Sequence, residues 1–317
     1  MKVLVLYNPI SGAGRSELDA RSLAQRLDAA GHAVALAETQ PEPGEGWLAD
    51  ELAGCKLLVV VGGDGAVRMA GQPAARTDTP IYQYPGGTEN LFAREFGMDR
   101  SAETLLRAID RFRIRRVDVG EAEGRPFLLM ASVGYDAGVV DDLARRRGRS
   151  ISHLSYLGPM LRQFLRWRPP RLEVLIDGER LDTHDQPPGG DQAAAAGMQG
   201  WVIVANSRQY AARLNPAPMA DMSDGLLDVV YVPLRSRLGL LPRMAYYRLG
   251  WQDRDSAVVR RRGRTVELRM DPPQFLQLDG DPPGPAGGFA ADRAEVPGRV
   301  GCVRISLQPK ALPVLIP

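Results

Sequence analysis

The sequence predicts an α/β protein in two parts. An N-terminal three-layer α/β domain with a mostly parallel sheet is followed by a C-terminal β-rich domain, antiparallel and sandwich-like. Three observations predict this. Apolar runs at residues 3–7, 33–37, 57–61 and 81–84 alternate with stretches of helical spacing, the order that builds parallel sheets with helices on their faces. After residue 118 the runs at 172–176, 201–205, 227–232, 257–262, 266–270 and 275–278 follow one another as strands without alternating helices, which suits antiparallel pairing. Finally, 317 residues with 44% hydrophobic and 25% charged side chains suffice for two cores. The boundary is placed near residue 118, with 119–302 as the second domain.

Residues 3–7 form a strand ending in Asn8-Pro9-Ile10-Ser11-Gly12-Ala13-Gly14. A helix follows, on which Leu18, Leu23 and Leu27 repeat, and Gly31 stops it. A second strand leads to Thr39, and a short helix surrounds residues 47–52. The run Leu57-Leu58-Val59-Val60-Val61 is a strand buried on both faces. It enters Gly62-Gly63-Asp64-Gly65, where glycines let the backbone approach a ligand and successive amides make an anion site. An aspartate there would repel phosphate unless it organised a divalent cation, so the turn points to a magnesium-nucleotide site. A plain strand-to-helix turn with a capping aspartate is the alternative for this motif alone. The fourth strand ends in a second such turn, Pro85-Gly86-Gly87-Thr88-Glu89-Asn90, where Thr88 is placed to cap the next helix. Its hydroxyl and the Asn90 amide could instead hold a phosphate or order the loop. Ligands of parallel sheets sit beyond the carboxyl ends of the strands, where Asn8, Thr39 and both glycine turns would gather.

The totals exclude several classes. A net charge of +2 gives no general case for nucleic acid. The only lysines are Lys2, Lys56 and Lys310, and no GxxxxGK[ST] sequence occurs. Cys55 and Cys302 build no disulfide framework, and His32, His153 and His184 are scattered. No apolar run approaches the roughly 20 residues that span a bilayer, and the chain starts on a strand rather than a signal peptide. The expectation is a soluble cytoplasmic protein.

GGDG followed about twenty residues later by PGGTENLFAR resembles the catalytic domain of the diacylglycerol-kinase superfamily, which includes sphingosine and ceramide kinases and bacterial YegS-like lipid kinases. NPISGAG is similar to that family's first nucleotide loop. In the second half Gly134-Tyr135-Asp136-Ala137 resembles its G[FY]DA turn, and the segment from Asn206 through Pro216-Ala217-Pro218 to Asp224-Gly225-Leu226-Leu227-Asp228 resembles its N…AP…DDGLLDV stretch. The resemblance implies an ATP-dependent lipid kinase. Asn8, Ser11, Gly12, Thr39, Gly62, Gly63, Asp64, Gly65, Thr88 and Asn90 would then bind the nucleotide, with Asp64 organising Mg²⁺. A further magnesium would be held by the Asp224 carboxylate with the carbonyls of Asp221 and Leu226. Phe275–Leu278 leads into Asp279-Gly280-Asp281, similar to the family's DGE motif, which makes Asp281 the base for the acceptor hydroxyl and Asp279 a helper or second candidate. Two departures stand out. Asp281 is one methylene shorter than glutamate, and Ala66 replaces the usual hydroxyl residue after GGDG. The tail from residue 303 would, by the same resemblance, pack back on the first domain.

A helix is expected over 101–112, another after Ala137 with Val139, Val140 and Leu143 on one side, and a third over 154–167; residues 185–200 are expected to form a surface loop. Basic clusters occur at 145–149, at 260–264, and at Arg162, Arg166, Arg168 and Arg171 beside Leu161, Phe164, Leu165 and Trp167. They suit either a solvated face or transient contact with an anionic membrane that presents the lipid. A homodimer stays open, as does the identity of the lipid among diacylglycerol, phosphatidylglycerol and sphingoid acceptors. An NAD-kinase-like enzyme with a soluble acceptor and a non-catalytic nucleotide- or lipid-binding homologue are the alternatives.

Overall fold

The computed structural model describes residues 1–9, 14–40, 46–145, 156–181, 198–282 and 299–317. The chain divides into two compact units; their described residues are Met1–Val119 with Pro309–Pro317 in one, and those between Gly120 and Gln308 in the other.

In the first unit the strands are β1 (Lys2–Tyr7), β2 (Ala33–Glu38), β3 (Leu57–Gly62) and β4 (Ile81–Pro85). β1 pairs in parallel with β2 and β3, and β3 with β4. Val314, in the tail, pairs in parallel with Ile81. Every residue of β3 is buried, which is why its sequence is an unbroken apolar run rather than an alternating one. Helices α1 (Ser16–Ala29), α2 (Ala49–Leu52), α3 (Asp64–Arg76), α4 (Leu91–Phe96) and α5 (Ala102–Arg111) connect them. On α1 the buried residues are Ser16, Ala20, Leu23 and Leu27, whereas Leu18 is exposed. The expected Leu18–Leu23 repeat is therefore corrected: a five-residue step leaves two side chains about 140° apart around a helix, and Ala20 takes the inward place. Ser101 caps α5 by accepting from the Thr104 amide at 3.2 Å. The tail is tied down where the Lys310 amide donates to buried Asp118 at 2.7 Å.

The second unit is β-rich. After β5 (Arg113–Ala122), which begins in the first unit, come β6 (Arg125–Phe127), β7 (Met130–Val133), α6 (Tyr135–Arg145), α7 (Leu157–Arg166), β8 (Arg171–Ile176), β9 (Glu179–Arg180), β10 (Met198–Ala205), β11 (Leu227–Pro233), α8 (Leu240–Arg248), β12 (Val259–Gly263), β13 (Thr265–Leu278) and β14 (Arg299–Ile316). Its ladders are antiparallel: β7 lies between β10 and β13, and β11 between β10 and β12. Leu172, Val174 and Ile176 on β8 and Val266, Leu268 and Met270 on β13 alternate into one core with Phe127, Val133, Val202, Val204 and Val229, the period-two burial of a sheet with one apolar face.

Three expectations change here. The runs at 266–270 and 275–278 belong to a single strand, β13, whose register with β14 shifts between Arg269 and Gln274 around Pro272 and Pro273; prolines donate no ladder bond and sit at such irregularities. Helix α8 has no counterpart in the sequence reading, which names no element between residues 232 and 257. Of the 185–200 loop, residues 198–200 are the start of β10, and the remainder lies outside the described residues, as do 146–149 of the first basic cluster.

Candidate functional site

The two glycine turns interlock. They leave the carboxyl ends of adjacent parallel strands, β3 and β4, and the Gly86 amide donates to the Gly62 carbonyl at 3.0 Å. A Cβ placed on Gly87 would lie 2.6 Å from the Gly63 Cα, so the two backbones approach as only glycines allow. Gln83, wholly buried, donates from Nε2 to the Gly62 carbonyl at 3.0 Å and accepts from the Ala93 amide at 2.7 Å. Buried polar groups need partners, and Gln83 uses both ends of its amide to fix one turn against the helix behind the other.

Asp64 opens α3, and its Oδ1 accepts from the Phe92 amide in the first turn of α4 at 3.0 Å. This is a second link between the turns. Asn90 bridges its own loop, accepting from the Gly87 amide and donating to the Gly87 carbonyl, both at 2.8 Å. The residue at the head of α4 is Asn90, in the left-handed region at φ 49°. Thr88 therefore does not cap this helix: it stands two residues too early, and the Phe92 amide is taken by Asp64. Asn8 and Thr39 follow the neighbouring strand ends, the Asn8 amide donating to Val61 at 3.3 Å and the Thr39 amide to Tyr7 at 2.9 Å. Thus Asn8, Thr39, Gly62, Gly63, Asp64, Gly65, Thr88 and Asn90 lie at or just beyond the carboxyl ends of the parallel strands, at one edge of the first unit. Ser11 and Gly12 lie outside the described residues. Ala66 is buried in α3.

In the second unit Asp279 and Asp281 separate in role. β13 ends in a tight turn in which Leu278 and Asp281 exchange backbone bonds of 2.8 and 3.0 Å, with Asp279 and Gly280 at φ 54° and 85°. Positive φ at both central positions is the hairpin geometry that favours Asp-Gly. The Asp279 carboxylate turns inward and accepts from the amides of Leu128, Leu129 and Met130 at 2.7, 2.8 and 2.9 Å. A carboxylate fully engaged by backbone donors is a clamp, so Asp279 is set aside as a candidate base. Asp281, at the end of the same turn, is partly exposed.

A buried network supports this turn, and sequence reasoning missed its role. Gln277 accepts from the Gly280 amide at 2.7 Å and donates to the Ser132 hydroxyl at 3.0 Å. Ser132 is its cross-strand partner in the β7–β13 register. Ser132 also donates to Asp136, which accepts from the Tyr210 hydroxyl at 2.6 Å. Burial pushes the Asp136 carboxyl above its ordinary value, against the pull of those donors. The signal was present in Ser132 and Gln277, polar residues inside apolar strands.

The Asp221–Leu226 turn differs from its expectation. Asp224 accepts from the Leu226 amide at 3.0 Å through Oδ1 and from Arg262 at 2.7 Å through Oδ2. Arg262 also reaches Asp228 at 3.2 Å and the Met219 carbonyl at 3.3 Å, and Asp221 accepts from the Ser223 amide at 2.9 Å. A guanidinium already neutralises the one carboxylate that would hold the ion. The donor set Asp221, Asp224 and Leu226 therefore does not fit the expected magnesium, and no step is derived through a metal there.

Comparison with known proteins finds two family domains along the chain. Residues 2–122 match the diacylglycerol kinase catalytic domain, and residues 130–316 match the YegS C-terminal NAD kinase beta sandwich-like domain. The chain is 29% identical over 291 residues to a diacylglycerol kinase of Mycobacterium tuberculosis H37Rv, covering 88% of each chain. It is 28% identical over 285 residues to a YegS-like lipid kinase of Pseudomonas aeruginosa PAO1, covering 88% of this chain and 87% of the relative. Among solved structures, a diacylglycerol kinase from Bacillus anthracis Sterne superposes with a TM-score of 0.69 at 18% identity over 100% of this chain and 97% of that one, a likeness of fold.

Proposed function

The chain belongs to the family that joins a diacylglycerol kinase catalytic domain to a YegS C-terminal beta sandwich-like domain, and from that premise we propose how it works. It is a lipid kinase, a phosphotransferase acting on a lipid alcohol. ATP is the donor. The first unit, a three-layer domain, binds the nucleotide, and the sandwich-like second unit receives the lipid.

The observation that carries the reading is the Gly63–Gly87 contact, which presents two strand-end loops as one backbone surface. In this reading the amides of Gly62, Gly63 and Gly65 and the Thr88 hydroxyl cradle phosphates, helped by the positive end of α3 and by Asn8 and Thr39. Asp64, at the start of α3, would help to hold the nucleotide's Mg²⁺. Bound there, Mg²⁺ would neutralise phosphate charge. Asp281 accepts the proton of the acceptor hydroxyl as its oxygen bonds to the γ-phosphorus and the bond to the β–γ bridging oxygen breaks, leaving ADP. Phosphoryl transfer depends mainly on positioning and charge neutralisation, so this set needs no lysine or histidine.

The test is incubation with labelled ATP, Mg²⁺ and diacylglycerol, phosphatidylglycerol or a sphingoid base in mixed micelles, with NAD as a soluble comparison. Label should enter one lipid, and Asp64→Ala and Asp281→Ala should each lower turnover by at least about a hundredfold. Label entering NAD alone, or ATP binding without transfer to any acceptor, would defeat the reading.

A further inference from the structure

Helix α7 wears its apolar side outward. Leu157, Leu161 and Leu165 are 62%, 60% and 56% exposed, and their four-residue spacing puts them on one stripe along the helix. The opposite side is the packed one. Tyr135 donates to the Met160 carbonyl at 2.9 Å, Arg162 pairs with Asp142 at 2.8 Å, and a Cβ on Gly138 would meet Gln163 at 2.8 Å. The leucine stripe is thus not an inward face left partly uncovered. It is a second apolar face, pointing away from the helix that α7 packs against.

A second exposed apolar set adjoins it. The Leu165 carbonyl at the end of α7 accepts from Arg237, which lies in the single turn Arg237–Gly239 that leads into α8. That turn and helix expose Leu238 and Leu241, and Leu249 and Trp251 follow, also exposed. Contiguous exposed hydrophobics on this scale mark an interaction surface.

Charge identifies the partner. Segments 156–168 and 234–252 contain no aspartate or glutamate, and they carry Arg162, Arg166, Arg168, Arg235, Arg237, Arg243 and Arg248. Arg166, Arg168, Arg235 and Arg248 are exposed and have no ion-pair partner among the described residues. Leucine stripes with a nearby tryptophan, surrounded by arginines and free of acids, fit the boundary between headgroups and acyl chains of an anionic bilayer. We propose that α7, the Arg237–Gly239 turn and α8 form the face by which this protein rests on an anionic phospholipid membrane. The proposal rests on the lipid-kinase reading for its purpose, since the acceptor lipid lies in that membrane, but the binding itself needs no turnover.

The experiment is co-sedimentation of the full chain, without nucleotide, with vesicles of phosphatidylcholine alone or mixed with phosphatidylglycerol. Binding should require phosphatidylglycerol and weaken with added salt. Leu161→Glu/Leu165→Glu should lower the partition coefficient by about a hundredfold and Arg166→Glu/Arg168→Glu by about tenfold, with unfolding temperature and turnover of a monomerically dispersed short-chain acceptor unchanged. Wild-type protein that ignores phosphatidylglycerol vesicles, or variants that bind them as well as wild type, overturns the proposal. So does light scattering that shows the leucine variant only splitting a dimer, because the occupant is then a second copy of the chain. Vesicle binding without transfer of label to any lipid would strike the kinase reading and leave this face intact.

Discussion

Replacing Asp279 by asparagine distinguishes a clamp from a base. The residue sits at φ 54°, a conformation that asparagine tolerates as well as aspartate, so the change alters the carboxylate and little else. The oxygen of the new amide can still accept from Leu129 and Met130, at the places now 2.8 and 2.9 Å away, but its nitrogen then faces the Leu128 N–H that now donates at 2.7 Å. One charge-assisted bond is lost, a buried donor faces a donor, and the two surviving bonds weaken. With about 1.5–3 kcal/mol for a hydrogen bond to a charged group and about 1–3 kcal/mol for a stranded buried one, the sum is about 3 kcal/mol. Alanine, which removes all three acceptor contacts and adds strain at positive φ, should cost about 5 kcal/mol. Urea unfolding reads this directly: at slopes of about 1–3 kcal/mol per molar, Asp279→Asn should lower the midpoint by about 1–3 M. Asp281→Asn should keep its stability within about 0.5 kcal/mol, as partly exposed positions do, and lose phosphoryl transfer. An Asp279→Asn protein with the wild-type midpoint and no turnover would refute the clamp, because the carboxylate would then be acting on substrate.

Gly87→Ala must push the Gly63 backbone away from a Cβ at 2.6 Å, so affinity for a non-hydrolysable ATP analogue, measured by calorimetry, should fall by about tenfold or more. At the Asp221–Leu226 turn the Arg262 guanidinium already neutralises Asp224. Mg²⁺ without nucleotide should leave the wild-type unfolding temperature unchanged, whereas Arg262→Gln should be destabilised and regain part of the loss when Mg²⁺ is added. For Asp136, burial raises the folded carboxyl above its unfolded value. The folded state then holds its proton more tightly than the unfolded state, and stability from this group declines as pH rises from about 4 through the raised value. Asp136→Asn removes that decline, so its stability relative to wild type in denaturant should improve as the pH rises above about 4; a difference independent of pH would show that the carboxyl is not held protonated by burial.

The parts of this architecture that depend on local sequence were legible. An apolar run such as 57–61 admits few other fates than a doubly buried strand, and paired glycine turns on successive strands demand close backbone approach wherever the strands meet. Other features depend on what the chain meets across space. Leu18 and Ala20 are two residues apart, and only the packed face of α1 decides that the smaller one goes inside. Helix α8 includes Pro242 near its start and exposes Leu241 beside buried Leu240, so its apolar pattern does not mark an inward face. The apolar runs 266–270 and 275–278 are interrupted in sequence at Asp271-Pro272-Pro273, yet pairing with β14 on both sides makes them one strand with a register shift.

The acidic turns make the same point at the level of chemistry. Asp279 and Asp281 are equivalent in sequence, carboxylates on either side of one glycine, and their difference arises from β13 lying antiparallel to β7. That register carries Asp279 over the amides of 128–130 and hands its turn to Gln277 through Gly280. Likewise Asp228 and Arg262 are cross-strand partners of β11 and β12, and this pairing delivers a guanidinium to Asp224, 38 residues away in sequence. A motif specifies which groups are available at a turn; the strand register specifies what neutralises them. Hence a carboxylate carried over by resemblance as a metal ligand can be, in this chain, one arm of an ion pair, and the Arg262→Gln protein is the form in which the turn would have to find another cation.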